Sequence, residues 1–558
     1  MLLSVRINDK SFGDKVLYQD LAFDIEENER VGLIGRNGTG KSTLFGIIAG
    51  NDKDYDGDIT LKRGSILVTS RQELHGHEHK TVLEYIQGDL PEYKELAHIL
   101  DTYPASMGSS THKMQAYSDA LERFSSLGYY QLEDEIAQAL EAYQIDPTVL
   151  HTPLGDLSGG QKRMVELIKV QRSRGHLALI DEPTNHMDYV AKQAFVNWMK
   201  SAQEAVVVIT HDRDVLKYVT RIVEIRDGKA YAFRGNYDDY LRTNTNQVTA
   251  QVNEYDITQK RIRNLEEDVI RFQRLKERSR DPGTIKRFKS QEQRARGELA
   301  ELERLEKPSF WIDQDSVSSM NEKMTSSYDK YKARTIRVRT RSKESSTSRL
   351  LVQVEKLSLG YDGKPLFIDI SFGLHEGERL RLHGRNGAGK TTLIQAVLAQ
   401  AAASPLTSQK FKGSVAVERE LPIGNYEQEI AEHYLPLTLS EGLEQVLHEK
   451  GQAVSGQRVK QMLSDYLFNP ATDGDMPIHR LSGGQKARFQ LIRMLANDPL
   501  LLILDEPTNH LDLPSIEELE NALAGYHGAI IYISHDSYFS QKMGGATIAI
   551  GSDSAAND

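Results

Sequence analysis

Val31-Gly-Leu-Ile-Gly-Arg-Asn-Gly-Thr-Gly-Lys-Ser-Thr-Leu-Phe-Gly-Ile-Ile48 reads as strand, loop and helix in one stretch. The apolar run 31–34 is strand-like, and the apolar spacing after Lys41 is helical. Between them, glycines let successive backbone N–H groups curl around a phosphate. Lys41 can reach terminal phosphates, and the Ser42 hydroxyl is suited to Mg²⁺. The same programme returns as Gly384-Arg-Asn-Gly-Ala-Gly-Lys-Thr391, with Lys390 and Thr391 in the matching places.

Two further motifs repeat in the same order. Leu157-Ser-Gly-Gly-Gln161 returns as Leu481-Ser-Gly-Gly-Gln485, and Asp181-Glu-Pro-Thr-Asn-His186 as Asp505-Glu-Pro-Thr-Asn-His510. Both pairs keep one offset (505 − 181 = 324), so two related domains lie in tandem. Residues 177–180 and 501–504 are buried-strand runs. They place Asp181 and Asp505 at strand ends, where ligands bind in parallel α/β sheets. There the two aspartates suit a Mg²⁺ shell, and the adjacent Glu182 and Glu506 suit polarisation of an attacking water. Val206-Val-Val-Ile209 leads into Thr210-His211-Asp212, and Ile530-Ile-Tyr-Ile533 into Ser534-His535-Asp536. A lone histidine is more often structural. These two follow matching strands at matching places and are read, with Glu182 and Glu506, as catalytic. Met187 against Leu511 and Thr210 against Ser534 remove no phosphate or metal ligand, so two competent sites are expected.

Length and composition agree. The 558 residues suffice for two to four domains. Hydrophobic content of 39% and charged content of 27% are those of globular domains. There is no apolar run long enough for a membrane span, and the first fifteen residues lack the basic n-region of a signal peptide. With no cysteine, disulfides, thiolate zinc sites and iron–sulfur clusters are excluded, and a reducing cytoplasm is expected.

Two segments lie outside the repeat. One is an insertion of the first domain, about 84–131. Tyr85, Ile86, Leu90, Tyr93, Leu96 and Leu100 predict an amphipathic helix, a turn follows over 102–110, and Met114, Tyr117, Leu121 and Phe124 predict its return. The other is the connector, about 243–349. Ile262, Leu265, Val269 and Phe272 step at helical spacing, as do Ile285, Phe288, Ala295, Leu299 and Leu302, with Glu292 a polar break. Ser279-Arg-Asp-Pro-Gly283 is a turn between them. From Arg271 to Arg296 there are ten basic residues and three acidic ones, in a chain whose net charge is −11. Charged helix faces are usually just solvated, but such concentration is the footprint of phosphate-backbone contact. A second basic stretch, Lys330 to Lys343, supports it, while Phe310 and Trp311 read as a packing anchor.

The order of these motifs resembles the ATP-binding cassette superfamily, and the whole arrangement resembles the ABC-F family over nearly the full chain. Gly235-Asn-Tyr-Asp-Asp-Tyr240 resembles that family's frequent GNYxxY element. The resemblance implies an α/β chain of two P-loop ATP-binding cassette domains, 1–242 and 350–558, joined by a long α-helical, coiled-coil-like hairpin over 243–349. It implies an ATPase using ATP and Mg²⁺. The nucleotide would be held by Gly35, Asn37, Gly38, Gly40, Lys41, Ser42 and Thr43, and by Gly384, Asn386, Gly387, Gly389, Lys390, Thr391 and Thr392. Gln72 and Gln428 match Q-loop glutamines and join Ser42, Asp181, Thr391 and Asp505 around the metal. Phe12 and Tyr361 sit where the family stacks an aromatic on adenine, though an aromatic there also suits core packing. By resemblance, Ser482 and Gly484 close on the ATP of Lys41, and Ser158 and Gly160 on that of Lys390, within one monomer. The family binds the ribosome, its connector reaching toward peptidyl-tRNA. The implied partners are therefore rRNA and tRNA, in the cytoplasm and without a membrane, in translation or in antibiotic protection. A DNA-directed tandem-cassette ATPase and the energising subunit of a transporter are the alternatives.

Overall fold

The computed structural model describes residues 1–13, 15–71, 76–106, 110–173, 175–185, 187–278, 280–302, 349–361, 363–406, 408–427, 430–466, 468–481, 483–509 and 511–551. The chain divides into two compact units, Met1–Asn236 with Ile336–Asp558, and Tyr237–Thr335. The first holds both halves of the repeat.

In the first half, five strands run parallel in the order Leu67–Thr69, Leu177–Asp181, Ala205–Ile209, Arg30–Gly35, Arg221–Arg226, and Lys229–Arg234 adds an antiparallel edge. Leu177–Asp181 and Ala205–Ile209 are buried along their whole length, which is why they are apolar runs rather than alternating ones. The strand before the phosphate loop, the strand ending in Asp181 and the strand leading to His211 thus lie side by side, and their carboxyl ends share one edge. In the second half the order is Ile423–Tyr426, Leu501–Asp505, Ala529–Ile533, Arg379–His383, Ala546–Ala549, all parallel. Each half adds a three-stranded antiparallel sheet: Lys15–Ile25, Leu3–Phe12, Asp56–Leu61, and Lys364–His375, Leu350–Tyr361, Gln409–Val417. The helices Lys41–Ile48 and Lys390–Ala401 bury Leu44, Phe45 and Ile47, and Leu393, Ile394 and Val397, between the two kinds of sheet. That packing anchors the loop before each helix.

The insertion corrects the expectation of one helix from Tyr85 to Leu100. Val82–Gly88 ends at Asp89, and Tyr93–Ser106 starts anew. Pro91 restricts the residue before it, and Glu92 turns the chain with φ 57°. The second helix then runs through Pro104 into the stretch expected to be a turn, and Thr111–Ser126 returns. At the base Tyr129 meets Tyr93 and Phe124 edge-to-face, and Tyr93 packs on Phe124 at a tilt.

In the other unit a helix begins at Tyr237, earlier than residue 243, and runs to Arg278; Pro282–Leu302 returns antiparallel to it. Leu265 and Ala295 are buried, and Phe272 stacks on Phe288 at 6.5 Å. Glu292 is buried at 6% exposure, which is tolerable because Lys276 Nζ, at 2.6 Å, and Arg296 both donate to it. The Asp281 carboxylate accepts the Thr284 N–H at 2.8 Å and caps the returning helix. Phe310, Trp311 and the stretch from Lys330 to Lys343 lie outside the described residues.

Candidate functional site

Each phosphate loop is closed by its own lysine. Lys41 Nζ donates to the carbonyls of Gly35 and Arg36 at 2.7 and 3.1 Å. Lys390 Nζ does the same to Gly384 and Arg385 at 2.7 and 2.9 Å. Gly40 and Gly389 precede the helices with φ 92° and 96°. A Cβ on Gly40 would stand 2.4 Å from the Tyr18 hydroxyl, so the loop needs glycine for both conformation and space. Ser42 and Thr43, and Thr391 and Thr392, follow in the first helical turns. Burial draws both lysines below their ordinary pKa, opposed by Glu182 at Lys41 and by Glu506 at Lys390.

Asp181 and Asp505 end their strands beside these loops. The Thr391 hydroxyl donates to Asp505 Oδ2 at 2.8 Å, so two hard oxygen donors meet there as Mg²⁺ chemistry requires. The next residues, Glu182 and Glu506, both take left-handed backbone, φ 45° and 47°, held by N–H donation to Ile209 and Ile533 at 2.8 and 3.0 Å. Such strain persists only where the surroundings over-determine it. It brings each carboxylate to 3.5 Å from a histidine ring nitrogen: Glu182 to His211, Glu506 to His535. Among the described residues, neither ring nitrogen of either histidine, nor Glu506 Oε1, has a hydrogen-bond partner. Orphaned buried polar atoms of this kind are open to a ligand. Burial pushes Glu506 up to about 7 and Glu182 up as well. It pulls His535 down to about 3 and His211 in the same direction.

The halves meet reciprocally. Asp512 Oδ2 accepts the Asn37 N–H at 2.8 Å, and Asp188 Oδ2 accepts the Asn386 N–H at 3.2 Å. The other oxygen of each caps its own helix, from Ser515 N at 3.1 Å and Ala191 N at 3.0 Å. Sequence reasoning missed both aspartates. A cavity of about 460 Å³ brings Ser158 and Gly160 of the first half together with Asn386, Gly387, Glu506 and His535 of the second, and with Glu182 and His211. Ser158 opens its helix with a capping box: Gln161 N donates to Ser158 Oγ, and Ser158 N to Gln161 Oε1. Gly38 and Gly160 have open space around them, whereas a Cβ on Gly484 would stand 2.8 Å from the Ser515 hydroxyl oxygen. Phe12 and Tyr361 occupy matching strand ends and are 54% and 42% exposed, so core packing is not their role. Gln72, Gln428 and Ser482 lie outside the described residues.

A second network leads away from the first site. Arg71 N, the Tyr85 hydroxyl and Lys169 Nζ converge on the buried Glu166 carboxylate at 2.6, 2.6 and 2.7 Å. Lys169 also reaches Asp89 at 3.2 Å. It ties the segment before Gln72 to the helix Gly159–Arg172 and to the root of the insertion.

A family model described as ABC transporter matches residues 18–185 and 367–509, and a second with the same description matches residues 223–320. The energy-dependent translational throttle protein EttA of Mycobacterium tuberculosis is 30% identical over 95% of this chain and 88% of its own. The putative ATP-binding protein YdiF of Bacillus subtilis is 28% identical over 97% of this chain and 79% of its own. The ATP-binding protein Uup of Escherichia coli is 29% identical over 95% and 77%. Among solved structures, the archaeal ribosome recycling factor aABCE1 superposes with a TM-score of 0.57 at 17% identity, over 98% of this chain and 87% of that one, which speaks to the fold. No described helix is long and apolar enough to cross a membrane. The chain is an ATPase that belongs to the ABC-F family of tandem ATP-binding cassette proteins.

Proposed function

We propose that this ATPase works on the ribosome, as a translation factor or in protecting the ribosome from antibiotics, with the helical pair 237–302 as its RNA-contacting element. The observation that carries the reading is charge placement. The pair buries Leu265 and Ala295 and stacks the half-buried Phe272 on Phe288. It leaves Arg278, Arg280, Lys286 and Arg287 exposed around its turn. An acidic chain that concentrates positive charge on one element is built to meet a polyanion there. The name of the Mycobacterium relative points to translation.

In this reading the bound nucleotide is ATP with Mg²⁺, and its two sites are composite. Lys41, with the N–H groups from Gly35 to Thr43, holds the phosphates of one, and Lys390, with those from Gly384 to Thr392, the other. Ser42, Asp181 and Gln72, and Thr391, Asp505 and Gln428, would hold the metal, which neutralises phosphate charge when bound. Phe12 and Tyr361 stack on adenine. Glu182 and Glu506 orient a water and take its proton, and the lifted carboxyl pKa makes each a competent base near neutrality. His211 and His535 steady that water's neighbourhood as neutral donors. Ser482 with Gly484, and Ser158 with Gly160, close over the opposite nucleotide, so ATP favours the closed pair and hydrolysis releases it.

The test is sedimentation of Glu182→Gln with Glu506→Gln on ribosomes. ATP-dependent co-sedimentation, lost with ADP, is expected. No association in ATP, or preferential capture by branched DNA at matched salt, overturns the reading.

A further inference from the structure

The two halves repeat every candidate catalytic residue, yet the seam between them is not symmetric. Under the 324-residue offset, Lys192 corresponds to Ile516, Arg213 to Ser537, Asp214 to Tyr538 and Val196 to Glu520. Lys192, Arg213 and Asp214 of the first half meet Glu520 and residues 535–538 of the second across the seam. Lys192 Nζ donates to the backbone carbonyl of His535 at 2.8 Å, and pairs with Asp212 at 2.8 Å and Asp214 at 3.4 Å. An ammonium has three donors, and Lys192, buried at 8% exposure, uses all three. Asp214 in turn accepts from the Ser537 hydroxyl and, at 3.3 Å, from the Ser537 N–H. Arg213 reaches Asp536 at 3.0 Å and also pairs with Glu520, with its guanidinium 4.9 Å from the Tyr538 ring centre. The loop 535–537 is therefore gripped from the first half at three successive residues. At the other site the matching position is Ile516, whose side chain offers no donor to the loop of His211, although both line the same cavity.

We propose that Lys192 is a positioning residue for one site only, that of Lys390 and Glu506. It fixes the His535 backbone, and with it the Glu506 carboxylate that accepts the His535 N–H at 3.3 Å. Toward the site of Lys41 and Glu182, Lys192 pairs with the Asp212 side chain and not with the His211 backbone, and the other Asp212 oxygen is already held by Asp214 N at 2.9 Å; that site works without the lysine. Two sites with the same candidate catalytic residues are thus set to different rates by the residues of the seam. The inference rests on Glu182 and Glu506 being the catalytic glutamates.

The experiment measures steady-state ATP turnover of Lys192→Met in two backgrounds. Glu182→Gln leaves only the Glu506 site, and Glu506→Gln leaves only the Glu182 site. Loss of a buried charge-assisted anchor predicts a fall in kcat of about tenfold or more in the first background, with KM for ATP moved less than about twofold. In the second background kcat changes by less than about twofold. Lys192→Arg, which keeps charge and donors, restores most of the loss. Ser537→Ala loosens the same grip without removing a buried charge, and shows the same selectivity at smaller size should Lys192→Met fold poorly. Equal losses in both backgrounds, or none in the first, overturn the proposal. Backgrounds that each keep full turnover, or none, instead refute the assignment of the two glutamates.

Discussion

Replacing Asp512 by asparagine separates two functions that one carboxylate performs. Oδ1 faces the Ser515 N–H at 3.1 Å and its hydroxyl, capping the helix Leu513–Ala524. Oδ2 faces the Asn37 N–H of the other phosphate loop at 2.8 Å. Asparagine caps about as well as aspartate, so the amide oxygen stays toward Ser515 and its NH₂ turns toward Asn37, donor against donor. The helix keeps its cap and the seam loses a charge-assisted bond, worth about 1.5–3 kcal/mol. At about 1.4 kcal/mol per decade, closure weakens by between about tenfold and a hundredfold. Asp512→Ala loses the same seam bond and also the cap, a further cost of about 1 kcal/mol to the folded cassette whether open or closed. Since the chain has no cysteine, one introduced at an exposed position of each cassette takes a fluorophore, and energy transfer reports closure. In the Glu182→Gln, Glu506→Gln background, the ATP midpoint should rise by that factor in both Asp512 variants, while only Asp512→Ala lowers the unfolding temperature. A wild-type midpoint for Asp512→Asn, or equal thermal losses for the two variants, refutes the division of labour between the two oxygens.

Glu166→Ala should lower stability by about 3–5 kcal/mol in thermal or urea unfolding, because it leaves Lys169, 2% exposed, with Asp89 as its remaining carboxylate. Changing Arg278, Arg280, Lys286 and Arg287 together to glutamine should flatten the plot of log binding constant against log salt for ribosomal RNA by roughly 3, at about 0.7–0.9 per phosphate contact. An unchanged slope would mean that the turn of the helical pair touches no phosphate.

The sheet was legible because its signals are local. A parallel strand covered on both faces must be apolar throughout, as Val206-Val-Val-Ile209 is, and a phosphate loop needs glycine where φ is positive, as at Gly40. Helix ends were less legible where two rules compete. Apolar spacing carried the expected helix across Pro91 because the buried Tyr85 and Leu96 keep helical phase on either side of it, while the backbone breaks between them. At Pro104 the opposite error arose: turn residues suggested a stop, but the helix continues, with Thr102 Oγ1 donating to the His98 carbonyl one turn back. Glu292 was recognised as an anomaly in an apolar seam, yet its partners Lys276 and Arg296 needed the antiparallel register to be found.

The seam was not legible, and the reason is physical rather than a failure of pattern matching. Asp188 and Asp512 recur at the repeat's own offset ahead of helices, and an aspartate in that place has a sufficient local explanation as an N-cap. That explanation uses one oxygen. The second oxygen meets a backbone N–H that any residue would supply, so no side-chain identity at Asn37 or Asn386 could announce it. Lys192 is harder still, because its partner at His535 is a carbonyl. Repeats make equivalence the natural inference, and the candidate catalytic residues obey it. Where two related surfaces face each other across a pseudo-two-fold axis, however, a residue meets regions around its own counterpart. Like charges repeated there would collide, and Lys192 against a second lysine at position 516 would crowd two cations into one buried seam. Divergence at those positions is therefore what tandem cassettes in one chain permit and a symmetric dimer does not. Positions that break the repeat at the seam, while the sites themselves keep it, are the places where two equal sites can acquire unequal tasks.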